Sequence, residues 1–191
     1  MTEMVEIEFK TLLTKEDYMR LLSHYQLTAD RFHSQTNFYY DTPDFQLKQN
    51  GCGLRIRVLD NYAEYTLKTP AIEGKLETTD SYTVQEATKM IEEHRLPRTG
   101  AVFQKLQELS IDSSQLINIG HLTTKRAEFP IEEGLLAIDE SWGEQLHDYE
   151  LELEVTDAKS GKKAFEHFLQ RQSIPYHPSK NKIQRMFEAK N

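Results

Sequence analysis

The residue pattern predicts an α+β fold built mostly from antiparallel strands. Three observations carry this. Stretches of alternating apolar and polar residues recur along the whole chain, turn residues of antiparallel connections separate them, and capped stripes at helical spacing interrupt them.

Taken in order, Val5 to Leu13 alternates and reads as a strand. Thr14-Lys15-Glu16-Asp17 then supplies an N-cap and an acidic first turn for a helix to about Tyr25, with Tyr18, Leu21, Leu22 and Tyr25 on one side. Extended segments follow at roughly 31–41, 52–60 and 62–69, divided by Asp41-Thr42-Pro43-Asp44, Asn50-Gly51 and Asp60-Asn61. A short strand near 76–82 precedes a capped helix with Val84, Ala87, Met90 and Ile91 as its stripe; Pro97 stops it, and Gly100 to about Leu109 is one more short helix. Three long strands come next, about 115–130, 135–142 and 146–156. A helix at about 160–172 and, after Pro175 and Pro178, a last helix from Ser179 complete the chain.

With 191 residues, 38% of them hydrophobic, and only 8 Gly and 6 Pro, the chain can bury a real core, and one domain over 1–191 is expected. The 23 basic residues against 31 acidic ones leave a net charge of −8. That balance argues against duplex nucleic acid or an anionic membrane as partner, since both need a dominant basic field. Cys52 has no second cysteine to pair with, and neither a signal-peptide core nor an 18-residue apolar stretch is found, so a cytoplasmic location is expected.

Strand periodicity then sorts the charges. Glu6, Glu8 and Lys10 share one face, opposite Val5, Ile7 and Phe9. Arg55 and Arg57 oppose Leu54, Ile56 and Val58; Thr66 and Lys68 oppose Tyr65 and Leu67; Glu150, Glu152 and Glu154 oppose Tyr149, Leu151, Leu153 and Val155. Asp139 lies with Leu135 and Ala137, opposite Leu136 and Ile138. The amphipathic helices need the apolar faces, which leaves the charged faces on the other side of the sheet, either flat with one wet side or curled around a polar lumen. Carboxylates and bases come in separate runs. Crowded carboxylates repel unless a cation sits among them, and hard oxygen donors of this kind suit Mg²⁺ or Mn²⁺. Arg55, Arg57, Lys68 and Arg126 are the donors a polyphosphate would need.

Glu6-Ile7-Glu8-Phe9-Lys10 resembles the N-terminal E-x-E-x-K signature of the CYTH superfamily, the triphosphate tunnel metalloenzymes, which include thiamine triphosphatases, inorganic triphosphatases and class IV adenylate cyclases. Gly53-Leu54-Arg55-Ile56-Arg57, Leu67-Lys68, Lys75-x-Glu77, Lys125-Arg126, Ile138-Asp139, Glu150-Leu151-Glu152-Leu153-Glu154 and Ser179-Lys180 resemble successive blocks of the same family, closest to its small members from Gram-positive bacteria. The resemblance implies a closed eight-stranded antiparallel β-barrel, a tunnel with helices packed outside. It implies Glu6, Glu8, Asp139, Glu150, Glu152 and Glu154 as metal ligands for Mg²⁺ or Mn²⁺. It implies Lys10, Arg55, Arg57, Lys68, Arg126 and Lys180 as holders of phosphate, with one residue of latitude between Lys125 and Arg126. Lys10 and Glu154 are the candidates for moving a proton or orienting water. The activity implied is hydrolysis of inorganic tripolyphosphate or a small organic triphosphate, by a monomer or homodimer; a class IV-type adenylate cyclase and a non-catalytic polyphosphate- or nucleotide-binding module are the alternatives.

Other features carry less. Gly51-Cys52-Gly53 leads into a strand and is no phosphate loop, and the seven histidines lack zinc spacing. Trp142, Phe38, Tyr39 and Tyr40 read as packing. The last segment carries Lys180, Lys182, Arg185 and Lys190, yet Ile183, Met186 and Phe187 form an apolar stripe, so a docked helix presenting Lys180 to phosphate is expected in place of a nucleic-acid arm.

Overall fold

The computed structural model describes residues 2–189, which form eight strands and six α-helices. The strands are β1 (Thr2–Leu13), β2 (Phe32–Asp41), β3 (Gly53–Val58), β4 (Ala63–Pro70), β5 (Lys75–Tyr82), β6 (Ile117–Ile131), β7 (Gly134–Trp142) and β8 (His147–Val155). The helices are α1 (Lys15–His24), α2 (Gln46–Gln49), α3 (Val84–Glu92), α4 (Ala101–Glu108), α5 (Ala158–Arg171) and α6 (Lys182–Ala189). Strand order β1-β5-β4-β3-β2-β6-β7-β8 makes a closed antiparallel barrel. Lys190 lies outside the described residues. No helix among those described is long and apolar enough to cross a membrane.

Local chemistry sets the helix starts. Thr14 accepts the Asp17 amide at 3.0 Å, and Thr83 with Glu86 closes a capping box. The short helix α2, which periodicity does not announce, is organised by Asp41: its carboxylate accepts the amides of Thr42 (2.8 Å), Leu47 (2.9 Å) and Lys48 (3.0 Å). Helix α6 begins at Lys182, three residues later than the sequence suggests.

The chain forms two compact units. One comprises 1–5 and 35–122, the other 6–34 and 123–191. In the first, Leu54, Ile56, Tyr65 and Leu67 are fully buried with Ala87 of α3 and Val102 and Leu106 of α4. In the second, Leu136, Ile138, Leu151 and Leu153 pack with Leu21 of α1 and Phe165, Phe168 and Leu169 of α5. Each unit thus covers one sheet face with helices, as the alternation requires. The apolar face of β1 joins this packing at Phe9, whereas Val5, expected on the covered side, remains 53% exposed.

Candidate metal and phosphate site

In the second unit, strand register builds the charged face in rows. Arg126 stands opposite Asp139, and Asp139 opposite Glu150. The next row runs from Ala137 to Glu152 to Lys10, and the third from Leu135 to Glu154 to Glu8. Only the first row receives an acid from β7, so the carboxylates crowd between that row and Glu152 of the second. Oxygens of Asp139, Glu150 and Glu152 come within 4.8 Å of one another. Among the described residues this is the group of three or more that could hold a metal; Glu6, Glu8 and Glu154 share the strand face but stand outside it.

Three side chains of opposite charge hold this centre together. The Arg126 guanidinium donates to Asp139 through Nε (2.8 Å) and Nη2 (2.7 Å) and also pairs with Glu152. Lys182 Nζ lies 2.9 Å from Asp139 Oδ2 and 2.6 Å from Glu152 Oε1, and pairs with Glu150. Arg185 forks between Glu150 (2.8 Å from Nη1 to Oε1) and Asp148 (2.7 Å from Nε to Oδ2). Ser179 donates its hydroxyl to Glu150. Buried charge of this density is tolerable only when matched in this way.

The titration behaviour follows. Burial by itself would raise the Asp139 carboxyl, but Arg126 and Lys182 outweigh it and hold the group below its ordinary range. The same contest leaves Glu152 well below the usual carboxylate value, through Lys182, Arg126 and Lys10. For Lys10, burial opposes the charge, but Glu8, Glu152 and Glu150 prevail and raise its pKa. Lys10, paired with Glu8, is therefore a cation at neutral pH, fit to hold phosphate or donate a proton and unfit to accept one.

Register also resolves the neighbouring bases. Lys125 stands opposite Glu140 in the strand register, on the other face of β6, its ammonium 4.6 Å from the Phe32 ring centre, so Arg126 alone of the two joins the acidic centre. Lys180, expected to hold phosphate, is exposed and reaches Glu188 at 2.5 Å, and it is Lys182 and Arg185 of the same segment that enter the acidic centre. Sequence reasoning saw both as generic basic residues. Their i, i+3 spacing beside the buried Met186 was the available signal.

The first unit carries a different face. Arg55 and Arg57 on β3 lie opposite Thr66 and Glu64, and Lys68 on β4 lies opposite Glu77. Glu77 sits 2.7 Å from Lys68 and 3.7 Å from Arg55, and Arg57 Nε donates to Asn37 Oδ1 at 3.1 Å with Glu64 3.7 Å away. Lys75, at the strand end, donates to the Gly51 carbonyl. Arg55 Nε is buried without a hydrogen-bond partner, a donor that asks for an acceptor oxygen.

The fold is a closed antiparallel β-barrel whose strands carry a carboxylate centre in one unit and a cationic face in the other. The chain belongs to the CYTH domain family, whose family model matches residues 4–187. It is 40% identical over 190 residues, all of this chain and 98% of the relative, to a Bacillus subtilis (strain 168) protein named “Putative triphosphatase YjbK”. It is 41% identical, with a TM-score of 0.92 over 98% of this chain and 100% of the other, to a crystal structure described as a “putative adenylate cyclase” from Bacillus halodurans. A Hippeastrum protein, 23% identical over 97% of this chain and 96% of its own with a TM-score of 0.77, shares the fold; it is described as an adenylyl cyclase candidate with a dominant triphosphatase activity.

Proposed function

We propose that this protein is a divalent-metal-dependent triphosphatase acting on inorganic tripolyphosphate or a small organic triphosphate. The observation that carries the reading is the convergence of Asp139, Glu150 and Glu152, three hard oxygen donors gathered around one cationic point that Lys182 Nζ now fills. The donor type and number fit Mg²⁺ or Mn²⁺, with Glu6, Glu8 and Glu154 on the same strand face as further carboxylates. A divalent ion bound there supplies charge neutralisation and polarisation of a phosphoryl oxygen.

The chain's own groups do the rest. Arg55, Arg57, Lys68 and Arg126 take phosphate oxygens, the arginines in forked pairs and the lysine as a point charge. Asn37 aims Arg57 by accepting from its Nε. Lys10, held protonated by its acidic neighbours, neutralises charge on the leaving oxygen, and Glu154 orients the attacking water. No side-chain nucleophile is needed, because positioning and electrostatics dominate phosphoryl transfer. In this reading Lys180 contributes nothing direct to phosphate.

The test is phosphate release from tripolyphosphate and a panel of organic triphosphates with Mg²⁺ or Mn²⁺. Glu152→Gln and Arg57→Ala should each lower kcat/KM by about 10²-fold or more, and a double-mutant cycle between them should be non-additive if they act on one substrate. No release from any triphosphate would overturn the reading. The name of the Bacillus halodurans relative favours a second reading, cyclisation of ATP. Product analysis separates the two: cyclic nucleotide with pyrophosphate, or a diphosphate with phosphate.

A further inference from the structure

We infer that Lys182 is a built-in competitor for the divalent cation at the Asp139, Glu150 and Glu152 centre, so that metal binding there and docking of α6 oppose one another. This rests on reading those carboxylates as the metal centre.

The first reason is position. The Lys182 ammonium touches Asp139 Oδ2, Glu150 Oε2 and Glu152 Oε1, one oxygen from each member of the group. A metal bound by this group and the ammonium therefore use the same lone pairs.

The second reason is charge. Asp139, Glu150 and Glu152 already face Arg126, Lys182 and Arg185, three carboxylates against three cations, with Lys10 close enough to act on two of the acids. Two more positive charges in this buried setting are unfavourable unless one resident cation withdraws. Lys182 is the one free to do so. Arg126 keeps Glu128 at 3.3 Å and Arg185 keeps Asp148, whereas the carboxylates that hold Lys182 all belong to the metal set.

The third reason is leverage. The segment before α6 is fixed to β1: Leu12 N donates to the His177 carbonyl at 3.1 Å, and His177 N donates to Thr11 Oγ1 at 2.8 Å. Beyond that anchor, Ser179, Lys182 and Arg185 all converge on Glu150. A cation taking Glu150 therefore loosens α6 about a fixed point near Pro178, and the released ammonium becomes available to phosphate. Coupling of this kind is reciprocal: whatever docks α6 weakens metal binding by the same factor.

Two measurements test this. Calorimetric titration of Mn²⁺ into the wild type, Lys182→Met and Lys180→Ala should show tighter binding for Lys182→Met alone, by about 5- to 150-fold, the usual span of site-to-site coupling. Hydrogen exchange of the wild type should show faster exchange at 182–189 when Mn²⁺ is added. The second measurement decides the matter if Lys182→Met does not fold. Equal affinity in wild type and Lys182→Met with unchanged α6 protection would overturn the competition and leave the metal centre standing. Mn²⁺ binding that Asp139→Asn does not weaken would remove the metal centre itself, and the competition with it.

Discussion

Arg126 on β6 lies directly across from Asp139 on β7 and forks onto both of its carboxylate oxygens, at 2.8 and 2.7 Å, while Asp139 is wholly buried. Arg126→Ala would leave that buried carboxylate without its main partner. The expected cost is about 3–5 kcal/mol of unfolding free energy, read from urea midpoints. Arg126→Lys should recover only part of it, because an ammonium cannot form the two-point contact. Pairing Arg126→Ala with Asp139→Asn should give much less than the sum of the single effects.

Glu77 gives the first unit an acid-sensitive element. Burial would raise its carboxyl, but Lys68 and Arg55 prevail and place it below its ordinary value of 4.5. A depressed folded-state pKa means stability that is complete above the unfolded value and is lost as pH falls through the folded one. The wild type should therefore lose stability from about pH 4.5 downward, and Glu77→Gln should flatten that part of the profile. Parallel curves of urea midpoint against pH for the two proteins would refute the assignment.

Asp41 organises the start of α2 by accepting three amides while 3% exposed. Asp41→Ala strands those donors. A loss of about 3 kcal/mol is expected, from the strength of hydrogen bonds to charged groups. Asp41→Asn, which keeps one acceptor oxygen, should cost less.

Helix α5 lies against β8 so closely that a Cβ on Gly161 would stand 2.4 Å from Val155 Cγ2. Gly161→Ala should cost about 1–3 kcal/mol, as overpacking does, and Val155→Ala should relieve part of it because the nearest obstacle is a side chain. Gly134→Ala is expected to have no such rescue. There the added Cβ would meet the Glu154 carbonyl oxygen at 2.2 Å, at a φ of +154. Thermal melts of the two single variants and of the Gly161→Ala/Val155→Ala pair check the contrast.

By itself the sequence determined which residues share a strand face, where helices α1 and α3 start, and which acids could meet, because side chains alternate along a strand with fixed period and capping is a local contact. The rows Arg126–Asp139–Glu150 and Glu152–Lys10 were present in that alternation as possibilities only. Tertiary structure decided the register that placed Ala137 and Leu135, not further acids, opposite Glu152 and Glu154, and so left the three-carboxylate centre to Asp139 and Glu150 of one row and Glu152 of the next. It also decided that Lys182 and Arg185, and not Lys180, reach that centre. Lys180 lies ahead of α6, which begins at Lys182, and the helical turn of about 100° per residue puts Lys182 and Arg185, three residues apart, on one side, while the chain entering the helix is pinned to β1 at His177 and Pro178.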